Sequence, residues 1–579
     1  MTKNAYSLAK KIDTKNILNE KYSPLLAQLL YNKNLYDLDS AENFINPKYD
    51  NNYDPFLLHN AKKTIERIYA AVTNNEKITI YADYDADGVP GAVILKTLFD
   101  KIGYTNCDIY IPHRHKEGYG IHIPSLKKIK ESGTSLIITI DVGITAQEAG
   151  NWCTKNNIDL IITDHHLPLS NEHGNEQLPP SYTIVNPKQS ACHYPDPMLC
   201  GCGVIFKIIQ AFVTAYGKEY NIHVGWEKWL LDLVGISTIS DLVPLQNENR
   251  IFAKFGMQVI AKTKRPGLKK LLWDAGINVQ YMQADDIAFN VTPKINAASR
   301  MSHPMDAVEV LCATNPTQSE KSVKHLVKLN NERKKITKNT IKEAQEIINK
   351  RDTLTEIIVV GNPEWQIGIV GLVASKLVEQ YKRPVFVWSE ENGKIKGSCR
   401  TWSNYHLVKI MEALPAEAIE SFGGHKEAAG FACNQTQIEN LEVALVAAAQ
   451  SLPQEDNSRV DQTTIDTELT VDDINIATFT EINRLGPFGI GNEKPLFIWK
   501  NITPHYVEQF GKTKEHIEIH FNNSANKNIR AIAFFKTADE YTYPPAAEES
   551  CCLVGHLEHS VFMGRHETRI HIVDIVKDL

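Results

Sequence analysis

The chain has 579 residues, of which 43% are hydrophobic and 23% are charged, and it carries a net charge of −7. This length is too great for one hydrophobic core, and the acidic balance excludes a protein that binds nucleic acid through an overall basic surface. No stretch of about 18 apolar residues could cross a membrane, and no apolar segment near the start resembles a signal peptide. The ten cysteines form no CxxC pair, so we expect free thiols and a cytoplasmic protein.

Short apolar segments alternate with helical patterns in the first half of the chain. Residues 77–83, 135–141 and 158–164 each predict a buried strand that ends in an aspartate, and a helix is expected over 89–102. This alternation predicts a parallel sheet covered by helices on both faces. Because ligands of such sheets lie beyond the carboxyl ends of the strands, we expect the acidic strand ends to meet in one crevice.

Three further regions follow. Residues 316–351 contain no Gly and no internal Pro, and the part from Glu320 carries ten Lys or Arg against four Glu, which predicts one long basic helix joining two domains. The charge fits a solvated helix face as well as a surface that meets a polyanion. A second α/β unit is expected over 355–434. A polar linker at 452–459 then leads to short strands that predict a small barrel or sandwich.

The first acidic strand end has carboxylates at Asp83, Asp85 and Asp87, followed by Gly88. Their spacing matches the opening of an EF-hand loop. The twelfth position of that loop is Ile94 instead of Glu, however, and a strand precedes it where a helix is needed. Three carboxylates this close repel one another unless a cation neutralises them. The motif therefore indicates a metal site, although a solvated acidic turn stays open as an alternative from the motif alone.

Two later segments add ligands to the same sheet edge. Asp141 ends the second strand, and Asp164, His165 and His166 follow the third. Asp241 follows a predicted helix, where a turn or capping role is the ordinary interpretation. Together these positions offer carboxylates and imidazoles that suit Mn²⁺ or Mg²⁺ better than zinc. So many carboxylates predict two ions about 4 Å apart that share an aspartate, an arrangement used in phosphoryl chemistry.

Four segments occur in the order and spacing of the motifs of the DHH phosphoesterase superfamily: DYDADG, ITIDVGI, TDHH and SDLVPL. Later segments resemble the RecJ family within that superfamily: INAASRM, WQIGIVGLVASKL, GSCRT, FGGHKEAAG and RLGPFGIGNEKPLF. The resemblance covers nearly the whole chain. It implies an α/β fold in which a parallel-sheet DHH domain and a smaller α/β DHH-associated domain are joined by a long helix, with a C-terminal β-barrel of the OB-fold type.

The resemblance also implies domain boundaries. They are 1–55 for an N-terminal extension, 56–315 for the DHH phosphoesterase domain, 316–351 for the connecting helix, 352–452 for the DHH-associated domain and 453–579 for the nucleic-acid-binding OB-fold.

By resemblance, the metal ligands are Asp85, Asp87, Asp141, His165 and Asp241. Asp83 and His166 are implied to be catalytic, the first as a ligand or close support and the second near the scissile phosphate as a supporting partner or proton donor. The residues implied to bind phosphate or DNA are Arg300, Ser398, Arg400, Gly423, Gly424 and His425. Arginine offers phosphate a bidentate fork, and paired glycines let backbone N–H groups approach it closely. Two alternatives stay open: Arg400 forms an ion pair at the surface, and the paired glycines form a tight turn without binding phosphate.

The implied activity is degradation of single-stranded DNA from 5′ to 3′ into 5′-mononucleotides by two-metal hydrolysis, in DNA repair and recombination. We expect a monomer that meets a strand with a 5′ end, with a helicase and a single-strand-binding protein as partners and no membrane. One alternative is a DHH-family phosphodiesterase acting on short RNA or cyclic dinucleotides, which the extended C-terminal strands disfavour. Another is a non-catalytic scaffold that binds single strands, which the complete ligand set disfavours. An inorganic pyrophosphatase shares the metal motifs but lacks GSCRT and GGHKEAAG.

Overall fold

The computed structural model describes residues 6–391, 393–403, 405–453, 463–511, 514–562 and 565–578. Within this part of the chain, no helix is both long enough and apolar enough to cross a membrane. The helices and strands form an N-terminal segment, two α/β regions joined by a long helix, and a C-terminal β region.

The first α/β region follows the short N-terminal segment. The elements of the N-terminal segment are β1 (Tyr6–Leu8), α1 (Pro24–Asn32) and α2 (Leu38–Ile45). Those of the first α/β region are α3 (Ala61–Thr73), β2 (Ile78–Ala82), α4 (Gly88–Lys101), β3 (Cys107–Tyr110), α5 (Ile123–Glu131), β4 (Leu136–Ile140), α6 (Gln147–Lys155), β5 (Asp159–Thr163), β6 (Leu169–Ser170), β7 (Glu176–Gln177), β8 (Thr183–Val185), α7 (Gly201–Tyr216), α8 (Leu231–Ser240), α9 (Asn247–Ile260), α10 (Pro266–Asp274), α11 (Ala284–Asp286), α12 (Thr292–Met301) and α13 (Met305–Cys312).

The sheet of this region is parallel, with strand order β3-β2-β4-β5-β8. Every residue of β2 and β4 is buried, because α4 and α7 pack on one face of the sheet and α5 and α6 on the other. Strands buried on both faces need continuous apolar runs, which is the pattern the sequence contains. The parallel-sheet prediction is confirmed.

The long helix α14 (Pro316–Asn349) contributes to the cores of both α/β regions. Val323 and Leu326 pack in the core of the first region, whereas Ala344 and Ile348 pack in that of the second. Three of its lysines form exposed ion pairs with glutamates one turn away, as Lys324 does with Glu320. Pairs of this kind favour the solvated-face interpretation of the basic helix.

The second α/β region has a mixed sheet of order β12-β13-β11-β10-β9, in which β9 and β10 are parallel and the other pairs antiparallel. Its elements are β9 (Ile358–Gly361), α15 (Val370–Tyr381), β10 (Val385–Glu391), β11 (Lys394–Arg400), α16 (Leu407–Glu412), β12 (Ser421–Gly424), β13 (Ala428–Cys433) and α17 (Gln435–Ser451).

The C-terminal region has a mixed sheet of order β15-β16-β20-β21-β19-β18-β17. Its elements are β14 (Thr463–Ile465), β15 (Thr467–Glu468), α18 (Ile476–Asn483), β16 (Phe497–Ile502), β17 (Tyr506–Phe510), β18 (His516–Asn522), β19 (Asn528–Phe534), β20 (Cys551–Phe562) and β21 (Arg565–Val576). Most of the predicted linker at 452–459 lies outside the described residues.

The N-terminal segment packs against this C-terminal region. Strand β1 pairs in parallel with β14, and Leu26 and Leu29 share a core with Phe497 and Trp499. Hydrogen bonds from Arg250 of α9 also join these two parts, because its guanidinium donates to backbone oxygens of both the N-terminal segment and the C-terminal region. The sequence gives no local signal for this packing, since the paired strands lie far apart in the chain.

Candidate metal centre and phosphate-binding residues

The acidic turn after β2 folds tightly. Gly88 begins α4, and a Cβ atom on it would lie 2.4 Å from the backbone oxygen of Asp83, so a side chain there would force the turn open. Oδ1 of Asp85 accepts the N–H groups of Asp87 at 2.8 Å and of Gly88 at 3.1 Å. Asp83 and Asp87 are both buried. The turn therefore holds three carboxylates at the carboxyl end of β2.

The amino end of α7 orients Asp87. The backbone N–H of Gly201 donates to its Oδ2 at 2.6 Å, and the N–H of Cys202 donates to its Oδ1 at 2.8 Å. The first N–H groups of a helix have no partner within the helix and suit an anion. Burial nevertheless raises the pKa of Asp87 to about 7, and the charge of Asp85 adds to the rise. A nearby cation would remove this cost of holding a buried carboxylate.

Asp141 directly follows β4 and has a left-handed backbone conformation, with φ of 63°. It is 2% exposed, and its Oδ1 has no hydrogen-bond partner among the described residues. Burial raises its pKa well above the ordinary value, and the charges of Asp87 and Asp85 raise it further. A buried carboxylate oxygen without a partner is costly unless a cation binds it.

His165 lies among the carboxylates. Its Nε2 is 3.2 Å from Oδ1 of Asp141, 3.6 Å from Oδ2 of Asp241 and 3.9 Å from Oδ2 of Asp87. Burial lowers the pKa of His165 to about 3, and the charge of His166 contributes. The imidazole is therefore neutral at pH 7, which is the form that binds a metal ion.

Asp164 positions both histidines. Its Oδ1 accepts the backbone N–H of His165 at 2.7 Å and Nδ1–H of His166 at 2.8 Å, and its Oδ2 accepts the N–H of Ile144 at 2.9 Å. Burial raises the pKa of Asp164, but pairing with His166, the hydrogen bond from Ile144 and the charge of His165 together hold the pKa below its ordinary value. Burial lowers the pKa of His166, but pairing with Asp164 and the charges of Asp83 and Asp87 together raise it above its ordinary value. His166 is thus held through Nδ1, so that this contact leaves Nε2 available.

The ligand atoms fit two neighbouring cations. Within the described residues, three groups have ligand atoms that all lie within 4.8 Å of one another: Asp141 with His165 and His166; Asp87 with His165 and Asp241; and Asp83 with Asp85 and Asp141. Asp141 and His165 each belong to two of these groups. Shared ligands and an oxygen-rich set are the features expected of a pair of hard divalent ions.

The predicted phosphate-binding residues Arg300, Ser398 and Arg400 lie together in the structure. Arg300 reaches from α12 to the second α/β region, where its Nη1 donates to the backbone oxygen of Gly368 at 2.9 Å. A Cβ atom on Gly371 would lie 3.3 Å from Nη2 of Arg400 and 3.5 Å from Oγ of Ser398. Residues 368–371, which lead into α15, therefore lie next to all three side chains.

This cluster carries positive charge in a partly buried place. Burial lowers the pKa of Arg300 to about 9, and the charges of Arg114 and Arg333 lower it further. Burial also lowers the pKa of Arg400. Arginines that repel one another in a partly buried place fit an anion that would offset their repulsion.

Arg114, for which the sequence motifs predicted no role, lies near both this cluster and the metal ligands. Its guanidinium is 4.6 Å from the centre of the Tyr84 ring. Its charge acts on the pKa values of Asp83, Arg300 and Arg400. Arg114 belongs to the segment HRHKEGYG at 113–120, but a single basic residue in a loop is too common for the sequence alone to indicate its role.

Gly423, Gly424 and His425 are exposed at the edge of the second sheet. Gly423 pairs with Gly430 across β12 and β13, and Gly430 pairs with Ser398 across β13 and β11. Gly423 and Ser398, which belong to the two predicted phosphate-binding segments, therefore lie at matching positions on β12 and β11, with β13 between them. Gly424 has φ of 146°, which requires glycine. Their contact with DNA stays a prediction.

Comparison with known families matches three parts of the chain. They are the N-terminal domain of the DHH family at 77–238, the DHHA1 domain at 354–452 and the RecJ OB domain at 465–574. The single-stranded-DNA-specific exonuclease RecJ of Bacillus subtilis is 34% identical over 555 residues, which cover 95% of this chain and 68% of that protein. The chain belongs to the RecJ family.

One further relative supports this assignment, and one solved structure supports the fold. The RecJ exonuclease of Haemophilus influenzae is 29% identical over 543 residues, 91% of this chain and 92% of that protein. The crystal structure of Thermus thermophilus RecJ in complex with Mn²⁺ matches with a TM-score of 0.80 at 23% identity, covering 100% of this chain and 79% of that one. The expected fold class, with a C-terminal OB domain, is confirmed.

A pair of glycines in α7 offers a test of how this RecJ-family site is packed. A Cβ atom on Gly201 would lie 2.5 Å from Cβ of Asp141, whereas the nearest atoms to a Cβ on Gly203 are 3.5 Å away. Gly201→Ala should displace Asp141 and lower nuclease activity about 100-fold or more, because a shift near 1 Å misaligns reacting groups. Gly203→Ala, measured in the same assay, should stay within about twofold of the wild type. Equal activity of the two variants would contradict the packing.

The raised carboxyl pKa values predict how the metal-free protein responds to pH. A carboxyl group whose pKa is higher in the folded protein loses its stabilising effect as pH rises from its ordinary value of 3.8 through the folded value, about 7 for Asp87. The melting temperature in EDTA should therefore fall by about 5 °C or more between pH 5.5 and pH 8. Adding Mn²⁺ at pH 8 should restore it. Melting curves that are flat with pH and unaffected by Mn²⁺ would contradict the account.

Proposed function

We propose that this RecJ-family chain is a metal-dependent exonuclease that hydrolyses single-stranded DNA from the 5′ end and releases 5′-mononucleotides, in DNA repair and recombination. The observation that carries the proposal is the presence of two sites, a carboxylate-rich centre at the sheet edge and an arginine cluster where the two α/β regions meet. Arg300 joins the two regions, because it extends from the first to Gly368 of the second, and the charge of Arg114 acts on both Asp83 and Arg300. A strand end bound by the arginines would lie close to the carboxylates.

The metal ligands of the proposal are Asp85, Asp87, Asp141, His165 and Asp241, with Asp83 as a ligand or close support. Two Mn²⁺ or Mg²⁺ ions bound there would lower the pKa of water and offset negative charge on the phosphate being cleaved. The helix end at Gly201 fixes the direction of Asp87, and the burial of His165 keeps its imidazole neutral. These contacts hold the ligands in position before substrate binds, which limits reorganisation during the reaction.

His166 is proposed to act on the substrate through Nε2. Its Nδ1 is engaged by Asp164, and pairing with that carboxylate raises the pKa of His166 against the opposing effect of burial. A protonated imidazole can bind the scissile phosphate or give a proton to the departing 3′ oxygen.

The 5′ polarity is proposed to come from Arg300, Ser398 and Arg400. A terminal phosphate carries more negative charge than an internal one and accepts more hydrogen bonds. Two guanidinium groups and a hydroxyl group are suited to it, and Gly423, Gly424 and His425 would hold DNA farther along the same sheet. An internal phosphate would not satisfy this cluster, so the strand would enter by its end.

The cellular setting is part of the proposal. We place the protein in the cytoplasm as a monomer, with a helicase and a single-strand-binding protein as partners that supply and present the strand. A phosphodiesterase for short RNA or cyclic dinucleotides would not need a C-terminal domain of the RecJ OB type, which matches 465–574 here. OB-folds bind single strands through basic and stacking side chains.

End-labelled strands test the proposed function. A single strand labelled at its 5′ or 3′ end is incubated with Mn²⁺, with Mg²⁺ or with EDTA. Early release of only the 5′ label as mononucleotide, dependent on metal, is the expected result, and a blunt duplex should be degraded far more slowly. Early release of the 3′ label, or activity that persists in EDTA, would refute the proposal.

A further inference from the structure

Lys188 lies at the same sheet edge as the metal ligands, on the loop after β8. Val185 of β8 pairs with Thr163 of β5, directly before the Asp-His-His segment. The amide of Asn186 donates to the backbone oxygen of His166 at 2.8 Å, and its Oδ1 accepts the N–H of Lys188 at 2.8 Å. The fully buried Asn186 thus fixes the backbone of Lys188 relative to His166.

The ammonium group of Lys188 has an unusual environment. Among the described residues, no acidic side chain lies within 4.0 Å of its Nζ, although Asp241, Asp164 and Asp141 are near enough for their charges to raise its pKa. Burial is the larger influence and lowers that pKa. Lys207 shows how a buried lysine is ordinarily paired, because its Nζ is 2.9 Å from a carboxylate oxygen of Glu248. Lys188 is half-buried without such a partner, so its three N–H donors are not committed to a carboxylate.

We propose that Lys188 is a substrate-binding residue that contacts the scissile phosphate at the metal centre. A compact ammonium group on a flexible stem suits a phosphate oxygen whose charge increases during the reaction. Such a contact strengthens in the transition state, so it accelerates the chemical step more than it tightens binding of the strand. The proposal rests on the proposed nuclease function and assigns it one further residue.

A different role would be to offset the charge of the metal carboxylates. The two roles predict different results when the charge is removed. Without Lys188, the carboxylates would attract cations at least as strongly as before, since one repelling charge is gone. If the lysine only offset that charge, hydrolysis at saturating Mn²⁺ would be unchanged. If it contacts the phosphate, hydrolysis falls even though the metal ions are bound.

The test uses Lys188→Gln and Lys188→Arg, with Lys155→Gln as the matched control. Lys155 is an exposed residue at the last turn of α6, which leads into the amino end of β5 and so to the opposite edge of the sheet. Single-turnover hydrolysis of a 5′-phosphorylated strand is measured at saturating Mn²⁺, and Mn²⁺ binding without DNA is measured by electron paramagnetic resonance. Melting temperatures establish that the variants are folded.

We expect Lys188→Gln to lower the single-turnover rate about 30-fold, with Mn²⁺ binding as tight as in the wild type or tighter. Lys188→Arg should recover part of the rate, and Lys155→Gln should match the wild type. A Lys188→Gln rate within about twofold of the wild type at saturating Mn²⁺ would overturn the inference, as would weaker Mn²⁺ binding that accounts for the loss. An inactive wild type would instead refute the proposed function, so the two failures are distinguishable.

Discussion

Asp141→Asn should lower the rate of strand hydrolysis at least about 1000-fold, equivalent to about 4 kcal/mol of transition-state stabilisation. Asp141 belongs to two of the three ligand groups, and its Oδ1 is buried without a hydrogen-bond partner among the described residues. Asparagine keeps the shape of the side chain but removes the charge that would join two cations. Mn²⁺ binding should weaken in parallel, measured by titration of the metal-free protein.

The same substitution should make the metal-free protein more stable at pH 8. Burial and neighbouring carboxylates raise the pKa of Asp141, so its ionised form destabilises the fold when no cation is present. Asp159→Asn is the matched control, because Asp159 lies at the opposite end of β5 and pairs with Arg67 at 2.6 Å. It should lower stability slightly and leave the rate within about twofold of the wild type. An Asp141→Asn enzyme that keeps a tenth of the wild-type rate at saturating Mn²⁺ would contradict the role of Asp141.

The second large effect concerns the 5′ end. Arg400→Gln should reduce kcat/KM for a 5′-phosphorylated strand about 100-fold, because it removes charge-assisted hydrogen bonds worth about 2–3 kcal/mol. Activity on the same strand with a 5′-hydroxyl group should change by no more than about threefold, since that strand offers no terminal phosphate to lose. The preference for a 5′ phosphate, measured as the ratio of the two kcat/KM values, should therefore largely disappear.

Lys394→Gln provides the control for this effect. Lys394 is exposed at the start of β11, whose last residue is Arg400. The Lys394→Gln variant therefore loses a positive charge from the same β-strand but away from the arginine cluster. Its preference for a 5′ phosphate should equal that of the wild type. Arg400→Gln could instead lower activity equally on the 5′-phosphorylated and the 5′-hydroxyl DNA. In that case, Arg400 supports the fold or the contact between regions and does not recognise the terminal phosphate.

The sequence predicted the sheet and its acidic edge well, for a physical reason. Strands β2, β4 and β5 are buried on both faces, so their residues form apolar runs that are visible without the structure. The carboxyl ends of parallel strands meet at one edge, so carboxylates that follow β2 and β4 must come close. The grouping of Asp83 and Asp85, which follow β2, with Asp141, which follows β4, agrees with that expectation.

Other features depend on contacts between distant segments and left no local pattern. The pairing of β1 with β14 joins the start of the described chain to the start of the C-terminal region. The tight approach of Gly201 to Asp141 depends on where α7 begins relative to β4. Arg114 and Lys188 are single basic residues in loops, and their importance appears only when their neighbours are known. Sequence patterns predict elements, whereas these contacts arise from packing.

The central claim is that the carboxylates around Asp141 hold two metal ions, and crystals soaked in Mn²⁺ test it most directly. We expect two peaks in the anomalous difference map, about 4 Å apart, with Asp141 coordinating both and His165 coordinating one or both. The pair should be absent from crystals of Asp141→Asn. A single peak, or peaks that leave Asp141 and His165 without a metal ion, would contradict the account.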